Sequence, residues 1–174
     1  FLNVIEGLVE SYYNSGRFKS SLDYLIVRDF GNPFSFFEHL AQKWKTRSLH
    51  LVSHSLVGLY RLLWELVGDQ DPVAMSYLRF DFRSHERKQA TPRWMQGEPA
   101  NELKRQLIQD GTIFRYLSHL KPLQLTPREL SKRFAVELFE FKIYPWQAKP
   151  VKQRQFLIFD YSESDQVRIY DATQ

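Results

Sequence analysis

The spacing of apolar residues changes along the chain, and this restricts the fold more than any other feature. Over the first 68 residues they recur at three and four. Phe1, Val4, Ile5, Leu8, Val9, Tyr12 and Tyr13 predict an amphipathic helix over 1–15, stopped at Asn14-Ser15-Gly16. Leu22, Leu25, Ile26 and Val27 predict a shorter helix near 18–28. Gly31-Asn32-Pro33 then breaks the chain, with Asn32 as N-cap and Pro33 as the first residue of a third helix. That helix runs to about Lys45 and is expected to bury Phe34, Phe37, Leu40 and Trp44. The broadest apolar stripe predicts a long helix over 48–67, ended by Gly68.

Further on, the period shifts towards two. Leu78, Phe80 and Phe82 alternate with Tyr77, Arg79, Asp81 and Arg83, which predicts a half-buried strand over 77–83. Residues 84–98 have no periodicity and read as a long loop. Helices are expected over 99–110, stopped at Gly111, and over 112–120. Thr126-Pro127-Arg128-Glu129 is a capping-box signature opening another helix. Residues 137–144 suit helix or strand equally. Gln155–Tyr161 and Gln166–Asp171 flank a polar turn and predict a hairpin. Helices first and strands later predict an α+β fold: an N-terminal bundle-like helical layer, then a small antiparallel sheet with a C-terminal hairpin. The expected organisation is a single domain over 1–174, divisible into a helical part, 1–70, and a mixed part, 71–174.

At 174 residues, a chain should bury roughly 70% of the surface it exposes when unfolded, so it needs no metal or disulfide staple. It contains no cysteine, which excludes disulfides, zinc–thiolate sites and cysteine nucleophiles and fits a reducing, cytoplasmic setting. No apolar run approaches the ~18 residues of a membrane span, and no membrane partner is expected. The chain starts at Phe1 and reads as a fragment of a longer protein.

The net charge of +4 hides an asymmetry. Residues 1–75 carry a net −1, 76–154 a net +8 and 155–174 a net −3. Arg79, Arg83, His85, Arg87, Lys88 and Arg93 cluster around Trp94, and Arg128, Lys132 and Arg133 follow the capping box. Guanidinium groups match phosphate geometry, and a neighbouring indole can stack on a base. The expected function is therefore a non-catalytic nucleic-acid-binding module of a larger protein, acting by phosphate neutralisation. Residues 112–161 also follow the element order of a winged-helix reader. The alternative is a protein-interaction or regulatory module meeting an acidic or aromatic-accepting partner, because 14 Phe, 9 Tyr and 4 Trp exceed ordinary usage and aromatics dominate interface hot spots. A third reading is a metal-dependent nuclease in which Asp81 and Glu140 hold Mg²⁺ and Lys142 orients the attacking water.

His50 and His54 have the i, i+4 spacing of a chelating pair, but no Glu follows His50 as in metal hydrolases. No glycine-rich nucleotide loop or nucleophile elbow is present, so no cofactor and no resident metal is expected.

Overall fold

The computed structural model describes residues 1–87 and 89–173. The fold is α+β, with helices followed by a three-stranded antiparallel sheet. The chain forms two compact units, one of residues 1–96 and 146–150, the other of 97–145 and 151–174.

The first unit is helical. α1 (Leu2–Leu8) runs directly into a π-helical turn, Val9–Asn14. α2 (Lys19–Asp29), α3 (Pro33–Thr46), α4 (Leu56–Val67) and α5 (Pro72–His85) follow. Asn32 caps α3 as its sequence indicates, its side chain accepting from Ser35 N at 2.9 Å. Asp71 caps α5 in the same way, accepting from Val73 N at 2.8 Å with Pro72 as the first helical residue. α5 packs chiefly on α2 and α4, and α1 packs on α3. The core between them is a run of aromatic rings. Tyr12 lies 4.8 Å from Phe18, Phe18 4.3 Å from Tyr60, and Tyr60 5.3 Å from Phe82. The Tyr12 hydroxyl donates to the Leu59 carbonyl at 2.8 Å, and the Tyr60 hydroxyl to that of Arg17 at 3.3 Å. Burying these rings therefore leaves neither phenol orphaned.

Three expectations are corrected here. Residues 77–83 are helical, inside α5; Ala74, Ser76, Tyr77, Leu78, Arg79, Asp81 and Phe82 are all buried, so the apparent alternation was not one face of a sheet. The helix expected over 48–67 starts only at Leu56, capped by Ser55; Ser48 takes a left-handed φ of 55° and Leu49–Leu51 is a single 3₁₀ turn. Leu51 and Val52, apolar positions inside the expected helix, are exposed. Phe34, expected in the core, is also exposed.

The second unit contains α6 (Asn101–Gln109), 3₁₀ turns at Thr112–Arg115 and Ser118–Leu123, α7 (Pro127–Ser131) and strands β1 (Phe134–Phe139), β2 (Gln155–Asp160) and β3 (Arg168–Asp171). Residues 112–120 are thus 3₁₀ turns separated by a break rather than one helix. The capping box forms as its sequence implies: Glu129 N donates to Thr126 Oγ1, and Thr126 N donates to the Glu129 carboxylate. α7, which a winged-helix reader would lay in the groove, lasts five residues and leads straight into β1, and the segment before it is 3₁₀ turns, so the helix pair of such a reader is not formed.

β1 and β3 both pair antiparallel with β2, with Val136 opposite Ile158 and Ile158 opposite Tyr170. Phe134, Val136 and Ile158 meet Leu107, Ile113, Leu117, Leu120 and Leu130 in one apolar cluster. Within 137–144 the strand ends at Phe139, and the rest is irregular. Gln155, 1% exposed, holds that segment. Its Oε1 accepts from Ile143 N and Tyr144 N, each at 3.0 Å, and its Nε2 donates to the Tyr144 carbonyl at 2.6 Å and to Asp171 Oδ2 at 2.8 Å.

Candidate functional site

The cations singled out in the sequence fall on both units. In the first, Arg79 lies within α5 and is only 6% exposed, while Arg83 and Arg87 are half-buried. Lys88 lies outside the described residues. Arg93 is exposed on a 3₁₀ turn, beside a half-buried Trp94 and a buried Met95. In the second unit, Arg128, Lys132 and Arg133 are all exposed, on α7 and directly after it.

The nuclease candidates are placed differently from their sequence reading. Asp81 is on a helix and 2% exposed. Both of its oxygens are engaged at the start of α2: Oδ1 accepts from Ser20 N at 3.2 Å, and Oδ2 accepts from Ser21 N at 2.8 Å and Ser21 Oγ at 2.6 Å. Phe18, at the N-cap position of α2, offers no side-chain acceptor, so Asp81 supplies from α5 the cap that the local sequence lacks. Burial pushes its carboxyl up to about 6, against the opposing pull of those hydrogen bonds. Glu140 is exposed and Lys142 half-buried, just beyond β1 in the second unit. Among the described residues, no three His, Asp or Glu side chains gather where they could hold a metal ion.

Sequence reasoning missed an apolar groove between α1 and α3. Ile5, Val9 and Tyr13 rise along one side at four-residue intervals, and Pro33, Phe34 and Phe37 form the other. The groove has a volume of about 230 Å³. Phe34 is 67% exposed and Tyr13 57% exposed. Tyr13 meets Phe37 edge-on at 6.5 Å, so the rings form a shaped wall. Acidic residues stand next to its lining residues in the chain. Glu6 and Glu10 follow Ile5 and Val9 on α1 and the turn after it and are exposed, and Glu38 follows Phe37 on α3. The signal for this groove was in the sequence. Phe34, Phe36 and Phe37 cannot all share one helix face, and here Phe36 and Phe37 are buried while Phe34 is not.

The chain thus combines a helical unit that carries an open apolar groove with a small α+β unit. Residues 1–159 match the model of a family described as a protein of unknown function (DUF4080), and the chain belongs to that family. Comparison with curated proteins and with solved structures returns no match. Among the described residues, no helix is long and apolar enough to cross a membrane.

Proposed function

We propose that this chain is a non-catalytic protein-interaction module whose α1–α3 groove receives an apolar segment flanked by lysine or arginine. The observation that carries this reading is the groove itself: two large aromatic side chains left mostly in water beside a formed apolar cleft. Burying an exposed Phe side chain is worth about 1.5–3 kcal/mol, so one or two such anchors supply the centre of an interface. Glu6, Glu10 and Glu38, each next in sequence to a lining residue, favour a basic partner over an acidic one. The absence of cysteine fits a reducing compartment, and we place the module in the cytoplasm.

A second reading, contact with nucleic acid, is supported by the exposed trio Arg128, Lys132 and Arg133. The burial of Arg79 weakens the larger basic face on which that reading began.

The two are separated by one pair of experiments. Phe34 is replaced by photoreactive benzoylphenylalanine and the protein irradiated in cells. The interaction reading expects a cross-link to a polypeptide segment rich in apolar and basic residues, lost when Glu6→Lys and Glu10→Lys are added. In parallel, labelled duplex and single-stranded oligonucleotides are titrated at several salt concentrations. No cross-link, together with binding tighter than about 10⁻⁶ M that Arg128→Ala, Lys132→Ala and Arg133→Ala weaken, transfers the assignment to nucleic acid.

A further inference from the structure

A different face of α1 lines a second cavity in the first unit, of about 480 Å³. This is the size of a small-molecule site. Its walls come from α1 and the π-helical turn, from α3, from the 49–54 segment and from α4. Leu8, Leu59 and the indole of Trp44 give it an apolar interior, and Asn3, Ser11, His50 and His54 are its polar lining.

Two features keep the cavity open. Gly7 stands inside a continuous helical stretch, where glycine is less favourable than alanine by roughly 1 kcal/mol. A Cβ built at Gly7 meets no atom within 4 Å, so packing does not demand the glycine. One turn on, Ser11 is also small, and its hydroxyl donates to the Gly7 carbonyl at 2.8 Å within a π-helical turn, a local geometry found often at functional sites. The opposite wall is held in place. His54 Nε2 bonds the Leu49 carbonyl at 2.8 Å, closing the 49–54 segment, and the imidazole packs edge-on against Trp44 at 5.0 Å.

We infer that this cavity binds a small organic carboxylate with an aromatic or branched apolar body. The body fills the space beside Trp44 and Gly7. The carboxylate takes hydrogen bonds from the side-chain amide of Asn3 and the imidazole of His50, two exposed side chains at the rim that are hydrogen-bonded to no group among the described residues. No Asp or Glu lines the cavity, so an ammonium ligand finds no counter-charge there. This inference is independent of the α1–α3 groove.

The test titrates three probes of one shape, phenylacetate, phenylacetamide and benzylamine, into the ¹⁵N-labelled protein. The Trp44 indole N–H and the Gly7 and Ser11 amides are followed by NMR. Phenylacetate is expected to shift all three signals with a Kd of about 1 mM or tighter. Phenylacetamide is expected to bind several-fold more weakly, and benzylamine not measurably. Gly7→Leu fills the cavity and should weaken phenylacetate at least about tenfold while leaving Tm unchanged or raised, because leucine is the better helix former. His50→Glu should abolish the preference for the acid. The proposal is overturned if phenylacetate shifts none of these signals, if Gly7→Leu binds it as tightly, or if either analogue binds as tightly as the acid.

Discussion

Replacing Asp81 by asparagine isolates the energetics of a buried charge used as a helix cap. The carboxyl is 2% exposed and titrates at about 6 in the folded chain, against an ordinary value of 3.8. Burial favours its protonated form, so the folded state binds this proton more tightly than the unfolded state does. Its contribution to stability is therefore fully present below pH 3.8 and is lost as pH rises through 6. A shift of this size corresponds to about 3 kcal/mol in all, of which about 2 kcal/mol falls between pH 4 and pH 7. The substituted amide keeps one acceptor oxygen, enough for Ser21 N and Ser21 Oγ, and loses the acceptor facing Ser20 N; that loss is the same at every pH, and the amide does not ionise. The measured quantity is the difference in unfolding free energy between wild type and Asp81→Asn, by urea denaturation at half-unit pH steps. Wild type should lose about 2 kcal/mol relative to the variant from pH 4 to pH 7, and the difference should level off above pH 7. In thermal scans the same change corresponds to a relative fall in Tm of about 4–8 °C. A difference that stays constant across this range, or that grows in favour of wild type as pH rises, refutes the reasoning. The Ser20 and Ser21 bonds would then hold the charge as well as water does.

Two other substitutions test the packing directly. A Cβ at Gly68 would stand 2.3 Å from Trp64 Cε3 and 2.5 Å from the Trp64 carbonyl oxygen, so Gly68→Ala should cost about 1–3 kcal/mol, read as a lower denaturation midpoint. Gln155→Leu removes the acceptor that serves both Ile143 N and Tyr144 N; it should cost about 2–5 kcal/mol and speed amide exchange at those two positions, and unchanged exchange would mean the segment is held by something else.

The elements that were legible in the sequence are those whose signals are local. Asn32-Pro33 and Thr126-Pro127 announce α3 and α7 because cap and first-turn residues act within three positions of one another. Asp71-Pro72 carries the same signature and opens α5. That local signal prevails over the alternation at 77–83, and the chain is helical from Pro72 to His85. The alternation misled because it assumed one wet face, and α5 has almost none. Arg79 and Asp81, read as the solvated side of a strand, are buried instead. The candidate site suffered for the same reason. A cation or carboxylate is available to a ligand only if folding leaves it exposed, and exposure depends on neighbours far away in the sequence.

The sequence by itself determined the fold class, the starts of α3 and α7 and the closing hairpin, because periodicity, caps and turns act over a few residues. Only the tertiary structure decided what Asp81 is for, which phenylalanines remain in water and where the cavities lie. Asp81 reaches Ser20 and Ser21 across some sixty positions. Phe34 is left exposed because α3 turns Phe36 and Phe37 into the core. The cavity beside Gly7 exists because residues between Asn3 and Leu59 converge around a missing side chain. Such long-range contacts are set by the packing of whole elements, and no short stretch of the sequence encodes them.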